Sequence, residues 1–376
     1  MNEDRASRYH RLRRRAIVAS TAAAAAWLLL LLYSGSAVGL AHWADTHGTQ
    51  LALPLRRTIP IVLFVGIIAF GRELIVLPFS VYRTFVLERR YGLSSEPLGA
   101  WMKDHLKAVL LGLFLTILAA AAVSASMHVT RTWWWALAAA IFALAGVAIA
   151  RLAPVIVMPL FYRFRPLERA GLRDRLLTLC RRAGVAVLGA FEWGLGAKTT
   201  RANAALVGLG KTRRILLSDT LLEDFTDEEI EVILAHEIAH HVHRDIWSAL
   251  AVESLMLVAA LLAAHLAVAR WGAVFGILDP TELSSLPLIA LAAGAVSLLL
   301  TPIGHAWSRR HERRADRFAL MLTEQPAAFI SAMRRLGAQN LADERPSAAT
   351  LWFFHTHPTI EERIEAARQF ETRTDS

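Results

Sequence analysis

Six long apolar blocks constrain this chain more than any other feature. They cover residues 16–33, 59–79, 106–126, 133–159, 248–271 and 286–307. Each approaches or exceeds the roughly 20 residues that cross a bilayer as a helix. In hydrocarbon the backbone must satisfy its own hydrogen bonds, so blocks of this length predict transmembrane helices. The fourth block is longer than one crossing needs and is expected to tilt or to project beyond the bilayer. Across 376 residues the chain is 55% hydrophobic and only 19% charged, too oily for an ordinary soluble enzyme.

Orientation follows from the bases. RLRRR before the first block, with small residues at 34–37, is compatible with a secretory signal. The apolar run is long for one, and five further spans need an orienting first helix, so we read a retained anchor. Arg5, Arg8, Arg11, Arg13, Arg14 and Arg15 precede the first span, and Arg83, Arg89, Arg90, Lys103 and Lys107 follow the second. More bases follow the fourth span at 163–182 and the sixth at Arg309, Arg310, Arg313 and Arg314. The opposite loops are poorer, with Arg56 and Arg57 the main exception and Arg131 alone. The excess predicts both termini and the polar middle on the cytoplasmic side, and the alanine- and arginine-rich composition points to a bacterial inner membrane. The layout is then a basic arm at 1–15, four spans within 16–159, cytoplasmic segments at 160–247 and 308–376, and a membrane hairpin at 248–307. A net charge of +9 suits contact with anionic lipid rather than nucleic acid, for which no recognition motif is present. The single cysteine, Cys180, excludes an internal disulfide and a cysteine-built zinc site.

The polar middle has ordinary globular composition. Residues 172–183 have helical spacing and Gly184 stops them, whereas 186–193, 202–207 and 213–218 read as strands, the last two joined by a turn at 208–212. Gly210-Lys211-Thr212 is not a phosphate loop, since Ala205 stands where that motif needs glycine and a hairpin turn is not a strand-to-helix junction. Thr226-Asp227-Glu228-Glu229 is a capping box, so the residues after it open on a helix.

That helix carries ILAHEIAHHVHRD, which places four histidines and two acids in thirteen residues at the edge of the fifth span. His236, Glu237 and His240 form H-E-x-x-H. Residues four apart share a helix face, so both imidazoles can grip one zinc ion while Glu237 reaches a water bound to it. His241 and His243 point elsewhere, and Asp245 suits a cap or an ion pair with Arg244 or a downstream base. A catalytic zinc takes three protein ligands. The third candidate is Glu312 in SRRHERRADRFAL, with Asp316 as partner of a histidine. The competing reading is a solvated face with Glu312–Arg309 and Asp316–Arg313 pairs, each worth only tenths of a kcal/mol.

These stretches resemble the type I CAAX prenyl protease family of membrane-embedded zinc endopeptidases. The likeness extends to TFVLERRYGLSSEPLGAWMKD from Thr84, RLAPVIVMPLFYRFRPL from Arg151, TTRANAALVGLGKTRRILLSDTLL from Thr199 and HTHPTIEER from His355. It implies an α-helical integral membrane protein with about six transmembrane helices and a cytoplasmic α+β, gluzincin-like zinc-metallopeptidase domain. It also implies one Zn2+ held by His236, His240 and Glu312, with Glu237 as catalytic base and Asp316 behind a ligand. Asn203 falls on the family's substrate-holding edge strand. His357 and Arg363 fall where the family stabilises the tetrahedral intermediate or braces the site.

The chain departs from that pattern in Ala205, where eukaryotic members often have tyrosine, and lacks their extra early span. His243-Arg244-Asp245 is closer to bacterial heat-shock membrane peptidases. The expected substrates are therefore membrane-associated or misfolded membrane proteins, with prenylated CAAX proteins as the alternative. A transporter or silent scaffold with structural zinc is the contrasting class and would not need Glu237. Arg72 and Glu73, inside the second span, are expected either to face a wet or protein-lined interior or to pair with each other.

Overall fold

A computed structural model describes residues 4–48, 58–208, 210–343 and 345–374; Arg56 and Arg57 lie outside them. Six helices are long and apolar enough to cross a membrane. Helix α1 (Arg5–Tyr33) begins within the basic arm, so the arm and the first span are one rod. A short α2 (Ser36–Gly48), carrying no span-length signal, follows it. Helix α3 (Thr58–Val81) continues through a wide π turn into α4 (Leu87–Arg90). Then come α5 (Leu98–Val129) and α6 (Trp134–Leu152), which a second π turn carries into α7 (Met158–Phe161). This fourth block is the one whose length predicted projection.

Beyond it lie β1 (Phe164–Pro166), α8 (Ala170–Arg182), β2 (Ala190–Trp193), β3 (Ala204–Val207) and β4 (Arg214–Ser218). Gly184, at φ +69°, ends α8 in the left-handed conformation that favours glycine. The first predicted strand starts at Ala190 rather than 186, and β1 carried no alternation long enough to read. The sheet order is β1-β2-β4-β3, with β2 and β4 parallel and the other pairs antiparallel. Gly208, at φ +92°, lets β3 turn into β4: a Cβ there would sit 2.7 Å from the Thr212 carbonyl oxygen. Strand β3 is thus a sheet edge.

The chain continues through α9 (Asp219–Asp224), α10 (Asp227–Val242), α11 (Asp245–Trp271) and α12 (Leu286–Thr323). It finishes with α13 (Pro326–Gln339), α14 (Ala348–Phe354) and α15 (Ile360–Thr374). The capping box forms: the Glu229 amide donates to the Thr226 hydroxyl at 3.3 Å, and Glu229 accepts from the Thr226 amide at 2.9 Å. Such a cap contributes about 1 kcal/mol. Ile230, Val232, Leu234, Ala235 and Ile238 then bury α10 against Ile215 and Leu217 of β4, Leu172 and Leu176 of α8, and Phe329 and Met333 of α13. Apolar burial at about 25 cal/mol per Å² makes this the main support of the polar domain.

The six spans contact one another in the order α1-α3-α5-α6-α11-α12 and back to α1, closing a ring. Between α3 and α5, Glu73 binds His105 at 2.9 Å, and that imidazole stacks on Trp101. Arg72 lies 4.0 Å from Glu73 and stays half exposed. The acid's main partner is therefore an α5 histidine rather than its neighbour.

Candidate metal centre and peptide cleft

Helices α10 and α12 pack side by side and bring together residues some 75 positions apart. His236 and His240 project from one face of α10, and Glu312 from α12 meets them. The separations are 3.3 Å between the two Nε2 atoms, 3.1 Å from His236 to Glu312 Oε2 and 3.5 Å from His240 to Glu312 Oε1. Two imidazoles and a carboxylate converging in this way can hold one metal ion.

The ring orientations are fixed from behind. The Nδ1 atom of His236 donates to Asp316 at 2.8 Å, and that of His240 to Asp245 at 2.8 Å. Both rings therefore turn Nε2 toward Glu312. For Asp245 the sequence predicts a cap or an ion pair, and the ion pair with Arg314 is present; the bond to His240 is additional. Its cause is local: Arg244 adopts φ +57°, a left-handed conformation few non-glycine residues take, and so ends α10 and turns Asp245 back toward the last helical turn. The HRD spacing alone carries no signal for this, because the reach depends on that one dihedral.

The solvated-face pairs do not form. Arg309 donates to the carbonyls of Leu351 and His355, and Arg313 pairs with Glu362. Glu312 and Asp316 are instead buried. Arg363 of α15 grips Asp316 with two bonds, at 2.9 and 2.5 Å, and the His357 ring bonds Glu312 Oε2 at 2.7 Å. His241 donates to the Leu206 carbonyl of β3 at 2.6 Å, tying α10 to the sheet edge, while His243 packs on Phe318.

Glu237 faces a cavity of about 460 Å³ whose walls also include His236, Asn203, His357 and Arg363. Burial pushes its carboxyl above the ordinary carboxylate range, with His236 and His240 pulling the other way. Burial disfavours the charged His236 ring, but hydrogen bonds to Asp316 and Glu312 outweigh it and raise the metal-free ring to about 9. Asn203 precedes β3 and engages both of its backbone groups with Ser218: its amide donates to the Ser218 hydroxyl and its carbonyl accepts from the Ser218 amide, each at 2.9 Å. Strand alternation then turns the backbone groups of Ala204 to the open side, beside the cavity.

A membrane ring carrying a helix-borne His-His-Glu cluster, with an acid beside it and a free sheet edge, is the architecture of a membrane-embedded metallopeptidase. Residues 166–371 match the model of peptidase family M48, and residues 2–163 match the CAAX prenyl protease N-terminal model, described as five membrane helices. The chain belongs to peptidase family M48. It is 27% identical to the "Uncharacterized metalloprotease YhfN" of Bacillus subtilis, over 90% of this chain and 79% of that one. It is also 27% identical to "CAAX prenyl protease 1" of Saccharomyces cerevisiae, over 81% and 71% of the two chains. The crystal structure of S. mikatae Ste24p superposes with a TM-score of 0.83 at 23% identity, covering 96% of this chain and 88% of that chain, and so shares the fold.

Proposed function

We propose that this metallopeptidase is a zinc-dependent endopeptidase that cuts membrane-associated or misfolded membrane proteins on the cytoplasmic side of a bacterial plasma membrane. The observation that carries the zinc reading is the spacing of its three donors. Tetrahedral zinc bonds of about 2.1 Å require donors about 3.4 Å apart, against the 3.1 to 3.5 Å found here. The chemistry zinc supplies when bound is an acidified water and a polarised scissile carbonyl.

The chain's own residues do the rest. Glu237 accepts a proton from the attacking water and returns it to the leaving amine, a task suited to a carboxyl that burial holds above the ordinary carboxylate range. Asp316 and Asp245 hold the two imidazoles with Nε2 forward, and orienting bonds of this kind typically support metal affinity 10- to 100-fold. Arg363, committed to Asp316, is a positioning residue. His357, at the cavity wall, is the donor assigned to the developing oxyanion, a role worth roughly 3–4 kcal/mol. Asn203 and the open side of β3 accept substrate as an added strand.

The cytoplasmic assignment rests on the basic residues at the catalytic end of the spans, set against Arg131 and Asp279 at the other end. Glu237→Gln should retain one zinc per chain and lose at least a hundredfold in peptide turnover; full activity in that variant excludes the mechanism. Names of eukaryotic relatives point to prenylated C-termini as a second substrate class. Clients trapped on Glu237→Gln in native membranes distinguish the two.

A further inference from the structure

The arginines at the start of α1 are not equivalent. Arg5 donates to the Tyr91 carbonyl at 2.6 Å, and Arg14 pairs with Asp343 at 3.0 Å. Arg13 lines the same cavity as His236 and Glu237, yet no carboxylate among the described residues pairs with it. Of the charged or titratable groups lining the cavity, the His10 ring is committed to the Leu341 carbonyl, Asp343 to Arg14, and Arg363 to Asp316, while the buried Asn340 Oδ1 is left without a partner among the described residues. Arg83, likewise half-buried and with no carboxylate partner among the described residues, lies near enough to feel the charge of Arg13. Two half-buried cations without a counter-ion repel each other in a medium that screens less than water. An anion entering the cavity would relieve that repulsion and form a charge-assisted hydrogen bond.

We propose that Arg13 is a specificity-determining residue that binds a substrate carboxylate, either an acidic side chain or the chain's own terminus. The assignment rests on the peptidase reading of this cavity, since the anion that reaches Arg13 must share the space in which the peptide is cut. A peptide is favoured over a lipid headgroup because Arg13 lines the same cavity as Glu237 and Asn203.

The test uses the zinc-loaded full-length protein in detergent with three kinds of quenched peptide. One is neutral and C-terminally amidated, a second set carries aspartate at successive positions, and the third ends in a free carboxylate. The wild type should favour at least one carboxylate-bearing peptide over the neutral one by roughly tenfold or more in kcat/KM, mostly through KM, as expected for a charged hydrogen bond. In Arg13→Gln that ratio should fall to about one, and Arg13→Lys should recover part of it. The aspartate and free-terminus arms identify the source of the carboxylate. Equal cleavage of all peptides by the wild type overturns the proposal, as does a preference that survives in Arg13→Gln. Stimulation by anionic vesicles that disappears in Arg13→Gln while peptide preference persists reassigns the cation to a headgroup. Failure of the wild type to cut any peptide overturns the peptidase reading itself, and this proposal with it.

Discussion

Asp316 and Arg363 make a buried pair behind the His-His-Glu cluster, and removing one partner should do two separable kinds of damage. Their side chains are only 5% and 11% exposed. Asp316→Leu leaves a guanidinium in the interior without its acid, which costs about 3–5 kcal/mol. For a polar domain of about 200 residues, 1 kcal/mol corresponds to roughly 2–4 °C in melting temperature, so a fall of about 10 °C is expected. The measurement is thermal unfolding in detergent with chelator present, which removes any contribution from bound metal. Arg363→Met should cost somewhat less, because Asp316 keeps its bond to His236. Residue 363 lies over the Phe329 ring, so the double variant Asp316→Leu/Arg363→Met places an apolar pair on an apolar surface. It should recover about half of the summed loss, a coupling of about 2–3 kcal/mol. Zinc affinity should remain 10- to 100-fold weaker in the double variant, since His236 has lost its orienting acid. Strict additivity of the two single losses would refute the buried-pair account, and restored zinc affinity would refute the orienting role.

Asp245→Asn should weaken zinc binding about tenfold through His240, measured by competition with a chromophoric chelator; an unchanged constant would mean the carboxylate does not orient that ring. In the chelated protein the His236 ring titrates at about 9, above its ordinary 6.5. Its contribution to metal-free stability is thus complete below pH 6.5 and lost as pH rises through about 9. Zinc must displace that proton, so apparent affinity should drop about tenfold per pH unit below about 9, and a flat profile between pH 7 and 9 contradicts this. Cys180 is fully buried, and burial pushes its thiol up to about 11. Maleimide should label it only after denaturation, and rapid labelling of the native protein would show that the α8 core opens.

Much of the architecture was legible because it is periodic or local. Twenty-residue apolar runs, a capping box at Thr226 and two histidines one turn apart are each read within a short window. Glu312 was legible for a different reason: a catalytic ion needs a third donor, and few acids stand at a span's mouth. What stayed hidden depends on contacts between distant segments or on a single dihedral. Strand β1 is three residues long and exists only against β2. The parallel β2–β4 pairing leaves no mark at either strand. Asp245 reaches His240 through the left-handed turn at Arg244, and the Arg309 and Arg313 side chains reach 40 to 50 residues along the chain instead of one helical turn. The Arg13 side chain reads as topology information from sequence alone; only the folded cavity shows what it adjoins.

Helix α12 does not stop at the end of the sixth apolar block but runs unbroken to Thr323, carrying Glu312 with it. The chain passes from α10 into the span-length α11 five residues after His240, and Glu312 returns on α12. Each part of the candidate donor set is thus joined directly to its own span-length helix, so the geometry of the centre depends on how α11 and α12 sit against each other. Whatever displaces those two rods relative to each other, whether bilayer thickness, lateral pressure or a client wedged between them, acts directly on donor spacing.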